Sequence, residues 1–155
     1  MKILLLSDSH GKTDRIDEVL TQCVKPDILV HCGDIDNDCD YLQFIVPHHV
    51  PIVAVCGNND WYSNRPYYTI ETIGGVRTYI THGHQERVKF GVEGLLHAAK
   101  KFNCKMVLFG HTHQAIHETI DGIDLINPGA LTGPHPTYAI VTIENQHIGT
   151  EFFSI

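Results

Sequence analysis

The chain has 155 residues, 43% of them hydrophobic and 19% charged, a composition that builds one globular core and excludes a disordered chain. Its 18 Asp and Glu against 11 Lys and Arg leave a net charge of -7, which speaks against an extended nucleic-acid or anionic-membrane surface. Five cysteines, odd in number and without a CxxC pair, exclude a disulfide framework or a zinc ribbon and read as reduced thiols of a cytoplasmic protein.

Met-Lys-Ile-Leu-Leu-Leu opens the chain with an apolar run too short for a secretory leader or a membrane span. Lys2–Ser7 instead reads as a buried central strand that stops at the polar turn Asp8–Lys12. Arg15–Cys23 carries Ile16, Val19, Leu20 and Cys23 at helical spacing, with Thr13 or Asp14 as its cap. Asp27–Cys32 is a second apolar strand and stops at Gly33-Asp34. A short helix is expected between Asp38 and Val46, and Pro51–Cys56 is a third strand, stopping at Gly57-Asn58. Three strand–loop–helix units imply a largely parallel sheet covered on both faces. Tyr67–Thr72 and Val76–Thr81 form a hairpin about Gly74-Gly75, followed by a helix over Val88–Phe102 and a strand at Met106–Phe109. Short alternating strands complete the chain at Ala115–Ile120, Ile123–Ile126, Tyr138–Ile143 and Ile148–Phe153, with turns at Asp121-Gly122 and Asn145-Gln146. No linker or internal repeat interrupts 1–155, so a single domain is expected.

The chemistry collects where the apolar strands stop. Five stops read Asp8-Ser9-His10, Gly33-Asp34, Gly57-Asn58-Asn59-Asp60, His82-Gly83-His84 and Gly110-His111-Thr112-His113. In parallel sheets ligands gather beyond the carboxyl ends of the strands. Carboxylate, amide oxygen and imidazole together are the donor set of divalent transition metals. Two pairs at i, i+2 plus Asp34, Asn58 and His82 make seven candidate ligands, more than one tetrahedral ion uses and suited to two ions sharing a carboxylate. The run Asp34-x-Asp36-x-Asp38-x-Asp40 is no EF-hand, since Cys39 and Ile45 stand where Gly and Glu are required; it reads as a solvated turn with Asp38 capping the next helix. No nucleophile elbow, Walker A or G-x-G-x-x-G occurs.

In this order the blocks resemble the calcineurin-like metallophosphoesterase superfamily, and with Thr81-His82-Gly83-His84 and Asn127-Pro128-Gly129 they are similar to its small single-domain phosphodiesterases of bacteria and archaea. The resemblance implies a four-layer α/β/β/α sandwich of two mixed sheets. It also implies two divalent transition-metal ions, manganese foremost, with nickel, iron, cobalt or zinc as alternatives. Asp8, His10 and His113 match ligands of the first ion, Asn58, His82 and His111 those of the second, and Asp34 the bridging carboxylate. The implied activity is hydrolysis of a small phosphate ester, a nucleotide among the candidates, by a metal-bridging hydroxide. One departure is Asn59, where many members carry a His that protonates the leaving group; His10 and His84 are the substitutes nearest in sequence.

Some residues lie outside this pattern. His31 is expected to pack under the metals as a supporting residue, and Asp60 to support its loop or orient a ligand. Trp61, Tyr62, Tyr67 and Tyr68 either stack an aromatic group of the substrate or pack a flap or subunit interface, and the family's small members often form oligomers. The alternatives to a phosphodiesterase are a phosphomonoesterase and a non-catalytic interaction scaffold of the same fold, for which a eukaryotic retromer subunit is the precedent.

Overall fold

Four consecutive residues, Ile3 to Leu6, are fully buried, which only a strand covered on both faces achieves. The computed structural model describes residues 1–22, 25–35 and 38–155, without the side chains of Asp38 and Cys39. The chain runs through β1 (Lys2–Leu6), α1 (Thr13–Gln22), β2 (Ile28–His31), α2 (Asp38–Ile45) and β3 (Ile52–Ala54). It continues with β4 (Tyr68–Ile73), β5 (Val76–Thr81), α3 (Glu93–Lys101), β6 (Met106–Leu108), β7 (Ala115–Ile120), β8 (Ile123–Pro128), β9 (Thr137–Glu144) and β10 (His147–Ser154).

Two five-stranded mixed sheets result, ordered β10-β9-β1-β2-β3 and β4-β5-β6-β8-β7. In the first, β1, β2 and β3 are parallel and β9 runs against β1; in the second, β5, β6 and β8 are parallel. Alternation along β1 sorts its side chains into two cores. Ile3 and Leu5 meet Ile80, Met106, Leu108 and Ile126 between the sheets. Leu4 and Leu6 pack with Ile16 and Val19 of α1 and Leu42 of α2 on the far face. A third core joins Leu95 and Ala99 of α3 to Tyr79, Val107 and Leu125. The layers are therefore α1 and α2, sheet, sheet, α3, the four-layer arrangement expected.

Three expectations need correction. The helix expected over Val88–Phe102 begins at Glu93: residues 84–91 are turns instead, with Arg87 at φ 57° and Gly91 at φ 154°, values no right-handed helix accommodates. Val88 keeps its burial, but on a backbone held by its N–H to the Gly83 carbonyl. The third strand is followed by no helix, since after β3 the chain crosses to the second sheet. Helix α1 opens at Thr13, so Lys12 precedes it as cap: its carbonyl already accepts from the Ile16 N–H, and Thr13 and Asp14 form the first turn. Cys23 and Asp36 lie outside the described residues, as do the side chains of Asp38 and Cys39, so the end of the α1 stripe and the Asp38 cap go untested; Cys32, Cys56 and Cys104 are free and buried.

The parallel strands β1, β2, β3, β5 and β6 all end at the same side of the sandwich, which brings the five polar stops together. Leu5→Ala, between the sheets, is expected to lower stability by roughly 2–5 kcal/mol in urea unfolding. Phe44→Ala on α2, where the ring is 85% exposed, is expected to change it by less than about 0.5 kcal/mol. Equal effects would contradict this layering.

Candidate metal centre

Beyond β1, β2 and β6 the backbone is bent sharply. Asp8, His10, Asp34, His111 and His113 have φ of 55°, 46°, 53°, 66° and 58°. Left-handed backbone costs a side-chain-bearing residue about 1–2 kcal/mol, least for residues such as Asp and Asn, and its clustering marks a functional site. The turns are also zipped together, Asp8 N–H to the Gly33 carbonyl and His10 N–H to the Asp34 carbonyl at 3.0 and 3.1 Å. Gly57 is required beside them: a Cβ there would overlap Asp34 Oδ1.

The bends converge the side chains. Asp8 is fully buried; its Oδ2 accepts from Ser7 Oγ (2.6 Å) and the His111 N–H (3.1 Å), while Oδ1 lies 3.0 Å from His113 Nε2 and 3.9 Å from His10 Nε2. Asp34 Oδ2 stands between two imidazoles, 3.5 Å from His10 Nε2 and 3.6 Å from His82 Nε2. His82 donates from Nδ1 to the Cys32 carbonyl at 2.7 Å, since that oxygen only accepts. Its Nε2 is therefore a lone pair, and it faces Asn58 Oδ1 and His111 Nδ1 at 3.1 Å each. An imidazole lone pair against an amide oxygen is two acceptors with no proton between them, a juxtaposition that a cation satisfies. Asp8 and Asp34 are buried carboxylates, and among the described residues neither forms an ion pair with Lys or Arg. Buried charge without a partner is costly, so this donor set fits bound cations. Two groups of close donor atoms stand out, Asp8 with His10 and His113, and Asp8 with Asp34 and His82.

The ligand positions are held by residues one layer further out. Asp60, nearly buried, accepts from the N–H groups of Asp34 (3.0 Å), Ile35 (2.9 Å) and Gly57 (2.7 Å), tying the β2 and β3 ends to one carboxylate. Asn59 clasps Asp34 twice, from its N–H to Oδ1 at 2.8 Å and from Nδ2 to Oδ2 at 2.6 Å. His31 accepts the Gly33 N–H on Nδ1, so its Nε2 carries the proton and donates to Ser9 Oγ at 3.1 Å. Asn127 on β8 donates to the Gly110 carbonyl and Thr112 Oγ1, bracing the loop of His111 and His113.

Titration follows these contacts. Burial alone would raise the Asp8 carboxyl, but hydrogen bonds from His113 and Ser7, and the charge that His82 and His113 carry when protonated, outweigh it and hold Asp8 below the usual range. His113 is raised, chiefly by its bond to Asp8. Burial, His82 and Lys89 push His111 down to about 4, and burial takes His31 down to about 3. His84 is lowered by burial and His82. It stands beside the centre, ring centroids 5.4 Å from His82 and 6.1 Å from His111, with Nδ1 buried and, among the described residues, without a hydrogen-bond partner.

The sequence pattern did not single out Lys89, whose ammonium bears on His111 and His113 from the 84–91 turns. A helix was expected there, and no motif marks the residue. The double role of Asn59 was missed too, because its partner is 25 residues away.

Fold and site together define a metal-dependent phosphoesterase architecture. Residues 1–146 match the calcineurin-like phosphoesterase superfamily domain, and the chain belongs to this family, which binds divalent metals. It is similar to a probable metallophosphoesterase of Mycoplasma pneumoniae, 31% identical over 95% of this chain and 92% of that one. It is also similar to the phosphodiesterase MJ0936 of Methanocaldococcus jannaschii, 28% identical over 94% and 95%. A predicted phosphoesterase of Streptococcus pneumoniae with a crystal structure superposes with a TM-score of 0.81 at 28% identity, covering 99% of this chain and 88% of that one.

Asp60→Ala removes the acceptor for three backbone N–H groups and is expected to cost roughly 3 kcal/mol or more in urea unfolding. Asp60→Asn, which keeps the volume, is expected to weaken any divalent-metal binding about 10–100-fold by calorimetry; unchanged affinity would refute the positioning role. Acid sensitivity is a second consequence. The unfolded chain protonates His31 near pH 6.5 and the folded chain only near 3, so the unfolded state binds more protons between these values and stability falls as pH falls. Each such group lowers the folding constant up to about tenfold per pH unit. In chelator-treated protein, His31→Gln is expected to be less stable at pH 7 yet to lose less on going to pH 4.5; a parallel loss would rule out the buried neutral imidazole as a cause.

Proposed function

We propose that the chain is a phosphodiesterase that uses two divalent transition-metal ions, manganese foremost with nickel, iron, cobalt or zinc as alternatives, to hydrolyse small phosphate esters in the cytoplasm, 1–155 acting as one domain. The observation that carries this reading is Asp34 Oδ2, nearly equidistant from His10 Nε2 and His82 Nε2 at 3.5 and 3.6 Å. One carboxylate oxygen between two sets of donors is what a shared ligand requires. Asp8, His10 and His113 would hold one ion, Asn58, His82 and His111 the other, and Asp34 both. When bound, such ions act as Lewis acids at the phosphoryl oxygens and bring the pKa of water towards neutrality. Similarity to the phosphodiesterase MJ0936 supports the diester over the monoester.

The chain's own groups prepare that chemistry. The Cys32 carbonyl keeps the proton of His82 on Nδ1 and its lone pair on the ligand side. Asn59 fixes both oxygens of Asp34, and an amide carries no proton to give at pH 7. We assign His84, held neutral by burial, to hydrogen bonding with the ester rather than to protonating the leaving group. His10 is taken up by Asp34. The preferred esters are therefore those whose leaving group departs as an anion.

Manganese added to chelator-stripped protein is expected to restore turnover of bis(p-nitrophenyl) phosphate, with rates falling steeply towards alkyl leaving groups. Asp34→Asn is expected to lower turnover by at least about 100-fold. Faster release from p-nitrophenyl phosphate would shift the reading to a monoesterase. No turnover with manganese, nickel, cobalt or iron would favour the interaction scaffold.

A further inference from the structure

The loop after Asn58 presents two large aromatic rings to water on a hydrogen-bonded turn. Asp60 points inward to the N–H groups of Asp34, Ile35 and Gly57, so the loop is pinned at that residue. The next residues turn outward: Trp61 N–H donates to the Asn59 carbonyl and Ser63 N–H to the Asp60 carbonyl, at 3.0 and 3.1 Å. Cys56 N–H to the Pro66 carbonyl, at 2.9 Å, closes the loop. Trp61 is 83% exposed and Tyr62 fully exposed, so among the described residues neither packs a flap. Most aromatic area is buried in folded proteins, and a Trp left in water by an anchored loop forgoes that stabilisation.

The loop that carries the rings starts at the candidate centre, and Tyr67 borders it. Asn59, two residues before Trp61, touches Asp34 through main chain and side chain. Tyr67, half exposed, stands edge-on to His84 at 5.7 Å between centroids, and His84 in turn lies 5.4 Å from His82. Aromatic surface thus borders the place where the phosphate would sit. A backbone already fixed by hydrogen bonds leaves only the side chain to be ordered on stacking, which favours affinity.

We infer that the group retained on phosphorus carries a flat aromatic ring that stacks on Trp61, making Trp61 a specificity-determining residue. This rests on the phosphodiesterase reading above. A nucleobase and a plain aryl group share this chemistry and differ in reach, since a sugar separates a base from its phosphorus.

Three p-nitrophenyl diesters with one leaving group decide it: the methyl, phenyl and thymidine 5′ esters, given to manganese-loaded protein. A ring-bearing ester is expected to exceed the methyl ester in kcat/KM by about tenfold, mainly through KM. A gain for thymidine assigns a nucleotide and a gain for phenyl an aryl ester. Trp61→Ala is expected to bring the ratio near one, while Phe44→Ala keeps it. Equal use of all three esters by the wild type overturns the inference. So does a Trp61→Ala protein that keeps the ratio but changes its size on gel filtration, since Trp61 would then serve a subunit interface. Trp61 is the chain's single tryptophan, so its fluorescence gives a second readout. Saturable quenching by thymidine 5′-phosphate or phenyl phosphate, and not by methyl phosphate, supports the ring site even if no diester is hydrolysed; that pairing would sink the hydrolytic reading alone. No quenching by either ring compound overturns the ring site.

Discussion

Two carboxylates buried side by side at the ends of adjacent parallel strands set the terms for everything around them. Asp8 follows β1 and Asp34 follows β2, strands in register through Leu6 and His31. Neither has a Lys or Arg partner among the described residues, and burying such charge without compensation costs several kcal/mol per group. The protein offsets part of this with directed dipoles: a hydroxyl and an N–H on Asp8, an N–H and an amide on Asp34. What remains is a demand for positive charge between the two groups. Left-handed backbone at both carboxylate residues and at His10, His111 and His113 adds strain that a loose scaffold would relax. Three apolar cores, with β1 contributing to two of them, hold the strands still enough for that strain to persist.

This arrangement explains why polar residues sit where apolar strands end. A strand buried on both faces can present chemistry only beyond its last residue, where the backbone is free to turn. Asp, Asn and His tolerate the left-handed region better than most side chains, and they are also the residues that bind metals. Backbone requirement and ligand chemistry thus select the same residue types at the same positions.

That coincidence is why the centre was legible in the sequence. Apolar runs at Ile3–Leu6, Ile28–Val30 and Met106–Leu108 announce buried strands, and Asp8, Asp34 and His111 stand just past them. The resemblance then supplied what spacing alone leaves open, the division of ligands between two ions. What the sequence hid is non-local or overridden. Asp60 and Asn59 act on residues 25 and 26 positions away, where no periodicity reaches. The apolar stripe from Val88 to Phe102 has helical spacing, and its second half is helical. Its first half is held in turns by the contact of Val88 with the Gly83 segment, a tertiary choice over local propensity. Thr13 has the chemistry of a cap, but the tight turn of Gly11 and Lys12 starts the helix one step earlier.

The centre also lies on a seam. The first sheet supplies Asp8, His10, Asp34 and Asn58, mostly oxygen; the second supplies His82, His111 and His113, only imidazole. The bonds joining the halves cross between sheets, from His82 to the Cys32 carbonyl and from the His111 N–H to Asp8. The first sheet offers one imidazole among oxygens and the second offers imidazole alone, so the full mixture of donors is assembled only across the seam. Under the proposed reading an ion held by both halves would work as a clasp: by thermodynamic linkage it would tighten the packing of Ile80 and Leu108 against Leu5, and any substitution that parts the sheets would weaken its hold. Contacts more than 100 residues apart join Asp8 to the loop of His111 and His113, so these donors converge only once the two sheets have met.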